Sequence, residues 1–144
     1  MQTLGMQKAL VVHSMGLDEL TPMGPADVVE LTPLGISEYS LDPQDVGIKR
    51  CKVEDLAGGD ATVNAGILKD VFDGKPGPVA DALILNAGYA LAACEVASNP
   101  VEGIEMARKA QESGAAAETL KKWVQASQEA YAAERDASAT TAAA

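Results

Sequence analysis

The feature that most constrains the fold is a change of hydrophobic period at Asp60. Before it, three short apolar or β-branched runs, at about residues 9–13, 27–31 and 36–41, are separated by segments rich in glycine and proline. Such runs predict strands, and the first predicts a buried strand of a parallel sheet. The second and third, joined by Thr32–Gly35, predict a hairpin. After Asp60, apolar residues recur every three or four positions, which indicates helices.

Punctuating residues set the bounds of the four helices, predicted at about residues 60–73, 78–97, 100–113 and 116–135. Asp60 is placed to cap the first helix, and Pro78 to begin the second. Asn99 is placed to cap the third, with Glu102 positioned to complete a capping box. The second helix is apolar nearly all round, which predicts a helix in the protein interior. On the last helix, Trp123 is predicted to anchor an apolar stripe. The fold class is therefore α/β.

The composition narrows the class of protein. A chain of 144 residues with 47% hydrophobic residues is long enough for one domain with a core. We expect this domain at residues 1–135, followed by a disordered, alanine-rich tail at 136–144. The net charge of −10 argues against nucleic-acid binding, which uses clustered Lys and Arg. No uninterrupted apolar run of about eighteen residues occurs, so we predict no membrane span.

The two cysteines indicate neither a disulfide framework nor a metal site. Cys51 and Cys94 are too few and too far apart in the chain for either. Cys94 lies in an alanine-rich apolar segment, which is typical of a buried thiol. Nucleophilic catalysis also has little support, because no Ser or Cys lies in a recognisable nucleophile turn.

Two adjacent carboxylates follow the first strand directly. Gly16 allows the chain to turn there, and Asp18 and Glu19 offer oxygen ligands of the kind that bind Mg²⁺ together with substrate phosphates. Neighbouring acids in a loop are more often solvated or cap a helix, so the spacing alone favours that simpler interpretation. His13, at the strand end, either contacts a ligand or hydrogen-bonds the loop that follows.

Three other polar segments are better explained by structure than by function. Gly58–Asp60 precedes a helix and could offer amides to a phosphate, but Asp60 would repel that phosphate without a bridging metal. Asn86 lies in an apolar helix, where an amide side chain usually bonds a neighbouring backbone. Residues 41–56, with the basic cluster of Lys49, Arg50 and Lys52, predict a solvated loop.

An ordered series of motifs carries a family resemblance over about residues 5–130. They are H-x-x-GLDE from His13, LDP-x-D-x-G from Leu41, DL-x-GGD-x-x-x-NA from Asp55, and LNA from Leu85. In this order they resemble the C-terminal part of anthranilate phosphoribosyltransferase, a glycosyltransferase with a nucleoside-phosphorylase-like α/β fold. Ser14, where bacterial members commonly have glycine, is most similar to plant and algal sequences, and that implies the chloroplast stroma.

The resemblance implies transfer of the phosphoribosyl group from phosphoribosyl pyrophosphate to anthranilate in tryptophan biosynthesis. Asp18 and Glu19 match the family's acidic pair, which implies that they bind Mg²⁺ on the diphosphate. The family's upstream glycine-rich substrate loop and its dimer-forming helical domain do not occur in this sequence. We therefore expect an incomplete C-terminal part of the domain, inactive alone, from an enzyme that is a homodimer.

Two alternatives remain open at this point. A fragment of a pyrimidine nucleoside phosphorylase would share the fold, although the GLDE motif argues against it. The second alternative is a non-catalytic remnant that acts through protein interaction. An exposed apolar surface would favour this alternative.

Overall fold

The computed structural model describes residues 2–142, with side chains described for residues 3–135. It consists of a three-stranded sheet followed by four helices: β1 (Ala9–Ser14), β2 (Ala26–Thr32), β3 (Gly35–Leu41), α1 (Ala61–Phe72), α2 (Pro78–Ala93), α3 (Pro100–Glu112) and α4 (Ala115–Ala142). Short 3₁₀ helices occur at Gln2–Leu4, Pro43–Val46 and Val53–Leu56. The predicted α/β class is confirmed, and each strand end lies within one residue of its predicted position.

The strands form an antiparallel meander in the order β1-β2-β3. The predicted hairpin of β2 and β3 is confirmed, with Thr32 paired to Gly35 across the turn. The predicted parallel sheet is wrong for the described strands. Residues 15–25, between β1 and β2, are fewer than the dozen or more that a parallel crossover requires.

One face of the sheet packs against α2 and α3. The centre of this core is Leu85, which is 0% exposed, together with Val28 of β2 and Ile104 of α3. Ile48, which is 2% exposed, belongs to the same core, so the predicted solvated loop at residues 41–56 is wrong at this point. The reason is local, since Gly47 has a φ of 79° and the Ile48 amide then donates to Pro43 O at 3.0 Å.

Helices α2 and α3 cross in direct backbone contact. A Cβ atom at Gly88 would lie 2.8 Å from the Cα of Ile104, and one at Gly103 would lie 2.9 Å from the carbonyl carbon of Gly88. Arg108 of α3 also donates to Asp81 of α2 at 3.1 Å. Two glycines therefore set how closely the helices approach.

Helix α2 ends earlier than predicted, at Ala93 rather than at residue 97. Glu95 has a left-handed φ of 59°, and the amides of Val96 and Ala97 turn back to Leu91 O at 3.0 and 3.2 Å. This turn uses the last carbonyl groups and stops the helix.

Two predictions of burial are wrong for the described residues. Helix α2 does place Leu85 and Tyr89 in the core, but its predicted burial on nearly all sides is wrong, because Leu83 is 41% exposed and the Cys94 thiol beyond its end is also exposed. On α4, Trp123 is 68% exposed and lies along an open apolar groove beside Leu68 and Phe72, so it does not anchor a buried stripe. Both helices therefore present apolar surface that no other segment of the described part of the chain buries.

The predicted helix caps are present. Asp60 accepts hydrogen bonds from the amides of Thr62 and Val63, both at 2.9 Å, and Asn99 accepts one from Glu102 at 3.0 Å. The capping box differs in one respect, because the Glu102 carboxylate accepts from the Ser98 amide at 2.7 Å and not from Asn99. Local cap chemistry therefore fixes both helix starts.

Helix α4 continues along the described backbone to Ala142, and residues 143–144 lie outside the described part. The domain boundary at residue 135 and the disorder of the tail stay predictions. Among the described residues, no helix is long and apolar enough to cross a membrane.

The burial of Tyr89 on α2 leads us to predict that the free energy of unfolding falls at high pH. Burial raises the pKa of Tyr89 to about 12 from an ordinary 10.0, and charge at Tyr39 and Asp45 adds to the effect. Between these values the unfolded chain releases this proton while the folded chain keeps it, so stability falls as pH rises through this range. Ultraviolet titration of tyrosinate should show a late-titrating group that Tyr89→Phe removes. An unchanged titration in that variant would contradict the burial of Tyr89.

Candidate functional site

The acidic pair lies on a loop that leaves β1 through a tight turn. Ser14 and Leu17 exchange two backbone hydrogen bonds, each 2.9 Å long. Between them, Met15 and Gly16 have positive φ angles of 52° and 87°, as the central residues of a type I′ turn do. We name residues 15–25 the acidic loop.

Buried hydroxyl groups hold the far end of the acidic loop. Ser14 is 1% exposed, and its Oγ lies 3.1 Å from Thr21 Oγ1 and 3.3 Å from the carbonyl oxygens of Gly24 and Pro25. Thr21 Oγ1 also accepts a hydrogen bond from the Met23 amide at 3.3 Å. Sequence reasoning missed this cluster, because a Ser and a Thr near a turn are too common to indicate one.

Asn86 of α2 reaches across to the acidic loop. Its Oδ1 accepts from the Leu20 amide at 3.1 Å, and its Nδ2 donates to Leu20 O at 2.7 Å and to Ala82 O at 2.9 Å. The predicted backbone bond of this amide is confirmed. The sequence could not indicate that its main partner lies 66 residues away.

Asp18 and Glu19 are both exposed, and neither side chain forms an ion pair or hydrogen bond with another described residue. In the described part of the chain, no group of three or more His, Cys, Asp and Glu could hold a metal ion. Two free carboxylates nevertheless fit Mg²⁺, which commonly takes one or two carboxylates and completes its shell with water and substrate phosphate.

His13 lies on the exposed face of the sheet, opposite the face that packs against the core. It is exposed and pairs in register with Asp27 on β2, while Leu10 and Val12 pack on the opposite face of the sheet. Within the described residues it forms no hydrogen bond to the acidic loop, so that interpretation is not supported. Its contact with a ligand stays a prediction.

The glycine-rich segment before α1 is structural. Asp60 occupies the first helix amides, and the Gly59 amide donates to Asn64 Oδ1 at 2.8 Å. These groups are therefore not free for a phosphate.

The segment after β3 is also structural. Asp42 caps the 3₁₀ helix that follows it. A hydrogen bond from the Gln44 amide lowers the pKa of the Asp42 carboxyl, and the Arg50 guanidinium lowers it further. Of the basic cluster, Arg50 therefore serves as the partner of Asp42.

A large apolar groove of about 640 Å³ runs between α1, α2, α3 and the start of α4. Its lining is formed mostly by small and aliphatic side chains, including Leu83, Ala87, Leu91, Met106 and Ala110. None of the described residues that line it is charged, so it resembles a surface for another protein segment more than a site for a phosphorylated ligand.

Residues 1–117 match the model of the glycosyl transferase family α/β domain. The anthranilate phosphoribosyltransferases of Pelobacter propionicus and Desulfatibacillum aliphaticivorans are each 41% identical to the chain, over 85% and 90% of its length. The crystal structure of the Thermus thermophilus enzyme matches with a TM-score of 0.78 at 38% identity over 86% of this chain. The Saccharomyces cerevisiae enzyme in complex with PRPP and Mg matches with a TM-score of 0.71 at 28% identity over 78% of this chain.

The chain spans only part of these relatives. It covers 35% and 38% of the two bacterial sequences. It covers 36% and 33% of the Thermus and yeast structures. The motif resemblance, including its restriction to a C-terminal part, is thereby confirmed.

Proposed function

This chain belongs to the glycosyl transferase family through its α/β domain, and we propose that it supplies the magnesium-binding part of an anthranilate phosphoribosyltransferase. The reaction transfers the phosphoribosyl group from phosphoribosyl pyrophosphate to anthranilate, releases pyrophosphate and belongs to tryptophan biosynthesis. The observation that carries the proposal is a pair of exposed carboxylates, Asp18 and Glu19, on a loop held at both ends; neither has a partner among the residues that the structure describes.

Asp18 and Glu19 are proposed to hold Mg²⁺ against the diphosphate. When bound, the ion supplies positive charge for the departing pyrophosphate. The carboxylates bind and orient it, while their exposure leaves room for phosphate and water oxygens. The yeast relative's complex with PRPP and Mg supports this pairing of metal and substrate.

The remaining groups of the site are proposed to come from the upstream part of the enzyme. The family's glycine-rich substrate loop does not occur in these 144 residues. We therefore propose that the isolated chain binds metal without turnover. A homodimer formed by the upstream helical domain, and a plastid location, stay predictions. The named relatives favour this reaction over that of a nucleoside phosphorylase.

The apolar groove favours a second candidate, a non-catalytic role in protein interaction. Its uncovered lining and the 68% exposed Trp123 form a surface that another protein segment could bury. Two kinds of segment could cover this surface: the upstream part of the same enzyme, or a separate protein partner. Turnover in the experiment below would favour the first.

A chimera tests the proposal directly. The upstream part of the Thermus thermophilus enzyme, joined to residues 5–130 of this chain, is expected to consume anthranilate with phosphoribosyl pyrophosphate and Mg²⁺. Asp18→Asn or Glu19→Gln should lower kcat/KM at least about 100-fold, since even the loss of a partner that only orients a metal ligand costs up to that amount. Anthranilate fluorescence measures the rate.

Asp73→Asn provides the matched control. It removes one exposed carboxylate at the end of α1, outside the acidic loop, and is expected to leave the rate unchanged. Full activity and unchanged Mg²⁺ dependence in the Asp18→Asn chimera would show that the acidic pair does not bind the catalytic metal.

A further inference from the structure

The acidic dipeptide is held at the peptide bond on each side. Leu17 O accepts a hydrogen bond from Ser14 N at 2.9 Å, which fixes the peptide plane between Leu17 and Asp18. The Leu20 amide donates to Asn86 Oδ1 at 3.1 Å, which fixes the plane between Glu19 and Leu20. Because peptide groups are planar, the backbone between these planes keeps little freedom.

Of these two contacts, only the one with Asn86 involves a residue far away in the chain, on helix α2. Asn86 uses its acceptor and its amide donors on the backbone, two of its three bonds being to Leu20. Leu20 itself is 2% exposed and belongs to the core cluster. Water therefore cannot readily replace the amide, and loss of Asn86 would leave polar groups of Leu20 unpaired.

We propose that Asn86 is a positioning residue for the metal ligands Asp18 and Glu19. It acts through Leu20, by setting the direction in which the adjacent Glu19 and Asp18 leave the protein surface. This inference rests on the proposed function, because it assigns a role toward the ion that the acidic pair is proposed to bind. Groups that orient metal ligands contribute to affinity without touching the ion.

Asn64 offers a matched control within the same chain. Its Oδ1 accepts from the Gly59 amide at 2.8 Å and its Nδ2 donates to Gly59 O at 2.9 Å. This is the same two-bond contact that Asn86 makes with Leu20, on a loop that lacks the acidic pair. Asn64→Ala therefore removes an equivalent contact and leaves the proposed ligands in place.

Nuclear magnetic resonance of the 144-residue chain, titrated with Mn²⁺, tests the inference. Mn²⁺ is expected to broaden the amide signals of Asp18 and Glu19. Asn86→Ala should weaken that binding about tenfold, as expected for the loss of a group that orients metal ligands. It should also speed hydrogen exchange at the Leu20 amide. Asn64→Ala should speed exchange near Gly59 and leave Mn²⁺ affinity unchanged.

Each outcome distinguishes this inference from the proposed function. If the native chain shows no Mn²⁺ broadening at Asp18 and Glu19, both are overturned. If the native chain binds Mn²⁺ and Asn86→Ala binds it equally well, only the positioning role is overturned. If Asn86→Ala does not fold, Asn86→Asp replaces it, since this variant keeps the acceptor for the Leu20 amide and loses the amide donors. An intermediate affinity then supports the inference, and native affinity overturns it.

Discussion

Gly103→Ala is expected to lower the free energy of unfolding of this chain by about 2 kcal/mol. The new Cβ would lie 2.9 Å from the carbonyl carbon of Gly88 and closer still to its oxygen, so the helices must separate. Overpacking of this kind costs about 3 kcal/mol at the upper end of its usual range. The better helix propensity of alanine returns about 1 kcal/mol of this. Urea denaturation followed by circular dichroism measures the difference.

Gly66→Ala is the matched control for that substitution. Gly66 lies inside α1, and a Cβ atom there would meet nothing within 4 Å. Only propensity acts at this position, so the variant should be more stable by up to about 1 kcal/mol. The two substitutions should therefore differ in sign. Equal stabilisation by both would contradict the close contact of α2 and α3.

Features decided by neighbouring residues could be predicted from the sequence. Asp60 and Asn99 cap helices because a short acceptor side chain lies just before the first exposed amides. The turn from Thr32 to Gly35 closes a hairpin because it separates two β-branched runs by the right length. In the candidate site, the adjacency of Asp18 and Glu19 is visible in the chain itself. Their role as metal ligands is implied only by the family resemblance, since spacing alone favours solvated acids, and it stays a prediction.

Features decided by distant residues could not be predicted in this way. The contact of Asn86 with Leu20 depends on how α2 crosses the sheet. Gln111, which is 6% exposed, similarly donates to Val71 O and to Lys75 O near the end of α1, and its sequence context indicates neither partner. Antiparallel pairing of β1 was missed because apolar composition alone does not give strand direction.

The two wrong predictions of burial have a common physical origin. Leu83 and Trp123 lie on apolar stripes, and such stripes indicate that a surface is covered without indicating by what. The chain spans about a third of its curated relatives, with 35% coverage of the Pelobacter sequence. Exposure of these side chains is therefore consistent with a surface that further protein segments cover.

Leu85→Ala should destabilise the chain by about 2–5 kcal/mol, the range for truncating a buried leucine. Leu85 is 0% exposed and packs in the cluster that joins β2 to α2 and α3. Leu83→Ala, on the same helix at 41% exposure, should cost much less because Leu83 does not belong to that core cluster. Thermal denaturation of both variants measures the contrast.

Leu85 directly precedes Asn86 in the chain. Leu85→Ala therefore also tests whether the core packing of Leu85 and the contact of Asn86 with Leu20 are independent of each other. A cavity at residue 85 weakens the core, whereas the amide of Asn86 still reaches Leu20 if the helix backbone stays in place. In the folded Leu85→Ala chain, hydrogen exchange at the Leu20 amide should therefore be no faster than the lower global stability of the variant alone explains. Equal costs for Leu85→Ala and Leu83→Ala would show that α2 does not present Leu85 to the sheet, and the contact made by Asn86 would then lose its structural basis.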